Sequence, residues 1–114
     1  MNNNHSLQSI LTELTVKVKD LYGSNLERAI LYGSCARQDN TDESDIDVMI
    51  IVSCNEDDLT KLDAKLNLIE SRMSLTHDVM LSIFVRTSEH YNRWKDSMPF
   101  YCNIEREGVE IIAS

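Results

Sequence analysis

Proline occurs once and glycine three times in 114 residues. With so few chain breakers there is no Pro/Gly-rich linker, and no repeat or low-complexity tract divides the chain, so residues 1–114 are expected to form a single domain. No apolar run approaches the roughly 18 residues of a membrane span. The opening MNNNHSLQ lacks the charged-then-apolar layout of a signal peptide, so a cytoplasmic protein is expected, without membrane contact. Cys35, Cys54 and Cys102 are odd in number and widely spaced. They form no CxxC pair and share no ligand spacing with the three histidines, which argues against a disulfide scaffold or a zinc site and for buried or incidental thiols. Positive charge is scarce: 11 Lys and Arg stand against 19 Asp and Glu, a net charge of −8. Such a chain repels phosphate backbones, which argues against nucleic acid as its main partner and fits a divalent metal or a basic protein surface. Apolar residues, at 42%, are sufficient for a modest core.

The apolar residues that are present fall into periodic segments. Leu7, Ile10, Leu11, Leu14, Val18 and Leu21 recur at helical spacing, which predicts an amphipathic helix over 6–22 ended by Gly23. The remaining core is expected to span 26–114. A short strand is expected over about 27–32, stopped by Gly33, with a helical turn at SCARQ before the polar loop DNTDES. DVMIIV predicts the next strand. Asn55 reads as a cap before three acids and a helix marked by Leu59, Leu62, Leu66, Ile69 and Met73. DVMLSIFV (78–85) reads as a third strand. Ser88 then reads as the cap of a helix running towards Pro99, and Pro99 as the start of a further short helix closed by Gly108. VEIIA reads as the last strand. The expected fold is α/β (α+β): a mixed sheet of about four strands, flanked by helices, in the order α-β-β-α-β-α-α-β.

One stretch is not explained by packing. LYGSCARQDNTDESDIDVMIIV places Asp45 and Asp47 at the mouth of an apolar strand. Residues two apart on a strand share a face, with Cβ atoms about 6–7 Å apart, so two such carboxylates could hold divalent cations for phosphoryl transfer. The preceding Gly33 lets the backbone approach a phosphate, Ser34 and the amides after it could hold phosphate oxygens, and Arg37 could pair with a phosphate. Asp78 opens the next apolar strand and would complete a triad that ligates metal and acts as general base. Asp42 and Glu43 read as solvated loop acids, and His77 as a cation at a helix C-terminus. Tyr91, Trp94, Phe100 and Tyr101 read mainly as core.

Gly33-Ser34, ten residues, then Asp45-Ile46-Asp47 resembles the active-site motif of the DNA polymerase β-type nucleotidyltransferases. More narrowly, that stretch and the ending PFYCNIEREGVEII resemble the minimal nucleotidyltransferases that pair with HEPN-domain toxins, over residues 7–114. Gln38 departs from the glycine usual there. The resemblance implies the nucleotidyltransferase fold, with Asp45, Asp47 and Asp78 as metal-binding and catalytic acids and Gly33 and Ser34 as the phosphate-binding turn. It also implies Mg2+ (two ions), ATP as substrate, and transfer of AMP to a tyrosine hydroxyl of a HEPN ribonuclease toxin. The chain would be the antitoxin of that hetero-oligomeric pair. The alternatives are a non-catalytic antitoxin that acts by occlusion and a small-molecule nucleotidyltransferase.

Overall fold

The computed structural model describes residues 3–33 and 45–113. Helix α1 (Asn3–Tyr22) buries Ile10, Leu14, Val18 and Tyr22, a stripe at four-residue spacing. Gly23 ends it with a positive φ of 59° and opens a single 3-10 turn, Gly23–Asn25. Strand β1 (Leu26–Tyr32) is followed among the described residues by β2 (Ile46–Val52). Helix α2 (Glu56–His77) begins as its sequence predicts: the Asn55 side chain accepts from the Asp58 amide, and three acids occupy the first turn. Strand β3 (Leu81–Thr87), helices α3 (Ser88–Trp94) and α4 (Pro99–Glu107), and strand β4 (Val109–Ala113) complete the described chain.

The strands form one mixed sheet in the order β3-β2-β1-β4. β1 pairs antiparallel with β2 and with β4, while β2 and β3 run parallel. β2 is therefore interior, which explains its nearly unbroken apolar run. Its Ile46, Val48, Ile50 and Val52 join Ala29, Leu31 and the stripes of α1 and α2 in one cluster. Met49 and Ile51 point the other way and join Ile30 with Tyr91 and Tyr101, contributed by α3 and α4. The free edge of β3 is occupied: its Leu81 amide donates to Ser74 Oγ at 3.2 Å and its Ile83 amide to Glu70 Oε2 at 2.7 Å. Side chains of α2 thus take the donors that another strand would need.

Several expectations from sequence are corrected. The third strand begins at Leu81, not residue 78, because Asp78 serves as the C-cap of α2. The helix after it stops at Trp94, and its cap is Thr87, whose side chain accepts from the His90 amide, not Ser88. Gly108 follows α4 at a φ of −72° rather than in the left-handed region. It is required by contact instead, since a Cβ there would fall 2.4 Å from Ile30 Cγ2. His77 does stand in the last turn of α2, as expected, and its Nε2 also lies 2.9 Å from Glu13, joining the end of α2 to α1. Phe100 and Trp94 are 38% and 42% exposed, so neither is core. No described helix is long and apolar enough to cross a membrane.

Candidate active site

Strand register sets the site. Tyr32 on β1 pairs with Asp47 on β2, and Asp47 pairs with Ser82 on β3, so one residue from each of three adjacent strands lies at one level. The level below holds Ile30, Met49 and Phe84, and the next Arg28, Ile51 and Arg86. Alternation puts all nine on the face that α3 and α4 cover. Asp45 stands two residues ahead of Asp47, just outside the strand and exposed, whereas Asp47 is half-buried. Burial raises the proton affinity of Asp47, and the neighbouring Asp45 charge raises it further. Tyr32 is likewise shifted upward by burial and by Asp47, an effect that Arg86 partly offsets.

Gly33 fits against this carboxylate. Its φ is +78°, and a Cβ built on it would lie 2.7 Å from Asp47 Oδ2. Both the turn and the approach exclude a side chain, so glycine is demanded twice at this position. The backbone leaving β1 thus passes directly over the Asp47 carboxylate.

The far side of the site is aromatic. Phe100, in the first turn of α4, stands edge-on to Tyr32 at 5.5 Å and to Phe84 at 6.3 Å between ring centroids. Phe84 is 42% exposed. The Arg86 guanidinium lies 6.0 Å from the Phe84 centroid and is held by the Tyr101 hydroxyl and the Val85 carbonyl at 3.1 and 2.8 Å. That hydroxyl is also 3.0 Å from His90 Nδ1.

Among the residues singled out from sequence, Asp45, Asp47 and Gly33 come together. Ser34 and Arg37, with Cys35, Gln38, Asp42 and Glu43, lie outside the described residues. Asp78 is placed differently from its expected position at a strand mouth. It caps α2 in the left-handed region (φ 55°, ψ 50°), a conformation aspartate tolerates. The Ile46 amide donates to the Met80 carbonyl at 2.9 Å, so Asp78 precedes β3 at the same end of the sheet as Asp45. Among the described residues no three His, Cys, Asp or Glu side chains are grouped so as to hold one metal ion. Ser82, not an acid, stands beside Asp47 on β3. Ser82 and Phe84 were not singled out from sequence, and Phe100 was read mainly as core. The signal for the first two was the alternation in LSIFVRT, which sends Ser82, Phe84 and Arg86 to one side.

The donor chemistry suits a hard divalent cation. Two carboxylates on one face, one of them pushed towards protonation by burial and the other's charge, are relieved by a cation of higher charge. Magnesium commonly takes one or two carboxylates and completes its shell with water and substrate phosphate, which the exposure of Asp45 suits.

Comparison with known proteins agrees with this geometry. Residues 13–103 match the family described as "Polymerase beta, Nucleotidyltransferase". Two Methanocaldococcus jannaschii proteins are similar over most of their length. "Putative protein adenylyltransferase MJ0141" is 34% identical over 104 residues, covering 90% of this chain and 95% of its own. "Putative protein adenylyltransferase MJ0604" is 31% identical over 101 residues, covering 89% and 93%. Among solved structures, a nucleotidyltransferase-fold protein from Sulfolobus solfataricus superposes with a TM-score of 0.53 at 21% identity, over 96% of this chain and 85% of its own. A mutant of the toxin-antitoxin pair MntA-HpeT superposes with a TM-score of 0.51 at 11% identity, over 90% of this chain and 72% of that one. The family match over most of the chain and the two relatives above 30% identity show that the chain belongs to the polymerase β-type nucleotidyltransferase family.

Proposed function

We propose that this chain is a cytoplasmic antitoxin that transfers AMP from ATP to a tyrosine hydroxyl of a HEPN-domain ribonuclease toxin. The observation that carries the reading is the Asp45–Asp47 pair at the mouth of β2, with the Gly33 backbone against the Asp47 carboxylate. The names of the M. jannaschii relatives support adenylyl transfer to protein, and the MntA-HpeT pair supports a toxin as partner. The mutant in that pair carries two Asp→Glu changes two positions apart, the spacing of Asp45 and Asp47.

In this reading Asp45 and Asp47 hold one or two Mg2+ ions, which when bound withdraw charge from the α-phosphate. Gly33, Ser34 and the amides that follow hold the β- and γ-phosphates as leaving pyrophosphate, and Arg37 pairs with a phosphate. Asp78, in the turn before β3, accepts the proton of the acceptor hydroxyl and is assigned no bond to metal. Conformity of the two aspartates with a cation is the role most exposed to test.

The test is incubation with ATP labelled on its α-phosphate, Mg2+ and the product of the adjacent gene. Label is expected on that product and is expected to vanish in the Asp45→Asn/Asp47→Asn double variant. Protection of cells from the toxin by that variant, equal to protection by the native chain, would instead establish neutralisation by occlusion.

A further inference from the structure

The order of the strands makes the site directional. Gly33 leaves β1 on one side of Asp47, and β3 lies on the other. On the reading above, on which this inference rests, pyrophosphate departs towards the Gly33 turn. An in-line displacement at the α-phosphorus then needs the nucleophile opposite, over β3. The side chains β3 offers on that face are Ser82, level with Asp47, then Phe84, then Arg86.

We infer that the exposed rings of Phe84 and Phe100 seat the aromatic ring of the acceptor, with Ser82 at the inner end of the seat beside its hydroxyl. The chemistry selected is a phenol rather than an aliphatic alcohol. Four features support this. Both rings are more than a third exposed, at 42% and 38%, although Phe100 already packs edge-on against Tyr32. They stand edge-on to one another at 77°, with Phe100 backed by Tyr32 and Tyr101, and an acceptor ring meeting their exposed parts would extend the edge-to-face arrangement aromatic groups prefer. Arg86 lies over Phe84 and is itself fixed by the Tyr101 hydroxyl, so the ring is braced from behind. Finally, the edge amides of Leu81 and Ile83 are already taken by Ser74 and Glu70, so an acceptor must engage β3 through its face and not as an added strand. In the step itself the phenolic oxygen forms a bond to the α-phosphorus and the bond to the bridging α–β oxygen breaks. The electron pair leaves with pyrophosphate, and the phenolic proton passes to Asp78 as proposed above.

The experiment uses N-acetyltyrosinamide and N-acetylserinamide as acceptor probes with the full chain, ATP and Mg2+. Phe84→Ala and Phe100→Ala are each expected to lower kcat/KM for the tyrosine probe by about threefold to tenfold through KM, leaving the serine probe and the ATP Kd unchanged. Phe84→Leu, which keeps the apolar bulk, should behave as Phe84→Ala does. Equal losses on both probes, no loss on either, or a weakened ATP Kd (a nucleobase seat) would overturn the inference. Release of pyrophosphate to water, abolished by Asp47→Asn, reports the catalytic reading separately. Should that release be absent, amide chemical-shift changes on adding N-acetyltyrosinamide still decide. Shifts clustered at Ser82, Phe84 and Phe100 support the seat, and shifts elsewhere or none exclude it.

Discussion

The two faces of the sheet are built differently. One is covered by α1 and α2, helices of 20 and 22 residues, and its cluster is almost wholly aliphatic, from Ile10, Leu14 and Val18 to Val48, Ile50 and Val52. The other is covered by α3 and α4, of 7 and 9 residues, and is tied by directional bonds. There Arg28 bonds Glu105 and Glu110, Tyr91 donates to Glu105, and Arg86 donates to Tyr101. Long helices supply buried area, which stabilises without regard to direction. Short ones cannot cover a whole face, so they are pinned by polar groups and, among the described residues, leave one end of it uncovered. Asp47, Phe84 and Phe100 occupy that end. Stability and chemistry are thus assigned to opposite sides of the same three strands.

The comparison breaks most sharply at Ile50, which is fully buried on the aliphatic face. Ile50→Ala is expected to cost about 2–5 kcal/mol in urea denaturation, a large fraction of the stability of a domain this size. Phe84→Ala, on the open face, should cost less than about 1 kcal/mol, because much of that ring is already in water. A comparable loss at Phe84 would mean that the two faces share the burden of stability.

Arg28 tests the pinned layer. Its guanidinium joins β1 to α4 through Glu105 and to β4 through Glu110, at 2.9 Å to each carboxylate, and lies 5.8 Å from the Tyr91 centroid. Arg28→Met should cost about 1–3 kcal/mol, at the lower end because the group is 29% exposed. Glu105 supplies a pH signature. Burial works against its charge, but hydrogen bonds from Tyr91 and Arg28 outweigh that and leave its proton affinity below the ordinary glutamate range. A lowered carboxylate stabilises the fold above its unfolded pKa and loses that contribution as pH falls through its folded one. The native chain should therefore weaken in acid more steeply than Arg28→Met, in which the main cationic partner is gone.

Gly33→Ala sharpens the comparison at the border between turn and site. The left-handed φ alone should cost about 1 kcal/mol, visible as a small fall in Tm. The larger consequence is local: the new methyl forces the Asp47 carboxylate to rotate away. Label transfer should fall far more than stability does, and a variant that keeps full transfer would remove the reason given for this glycine.

What was legible in the sequence follows the same division. The helical stripes of the aliphatic face were legible, because Ile10-Leu14-Val18 and Leu59-Leu66-Met73 are periodic and periodicity reports burial. The Asp45–Asp47 pair was legible because charge at the mouth of an apolar strand contradicts packing. Ser82 was not, since its importance comes from parallel pairing with β2, a register that a single strand does not encode. Asp78 was misplaced for a local reason: an acid before an apolar run looks like a strand opening, yet here the helix needed a residue that tolerates a left-handed cap. Phe100 and Trp94 were read as core because aromatic residues at helical spacing usually are, and the shortness of α3 and α4 leaves both near the rim.

The smallest expected effect bears most directly on why the open end stays open. Asp47 has its proton affinity raised, first by burial and then by Asp45, so the folded chain binds a proton there more readily than the unfolded chain does. For such a group the contribution to stability is full below the unfolded pKa and is lost as pH rises through the folded one. At neutral pH the metal-free protein therefore carries a destabilising charge, and Asp47→Asn should raise its stability, by less than about 1 kcal/mol because the group is partly solvated. The gain should shrink as pH falls to about 4 and disappear where Asp47 is protonated in both states. Added Mg2+ should reverse the order, raising the Tm of the native chain and not that of the variant, since a ligand stabilises only the state that binds it. If Asp47→Asn destabilises the metal-free protein at neutral pH, Asp47 is part of the packing, and the division between a stabilising face and a reactive one fails at the residue it was meant to explain.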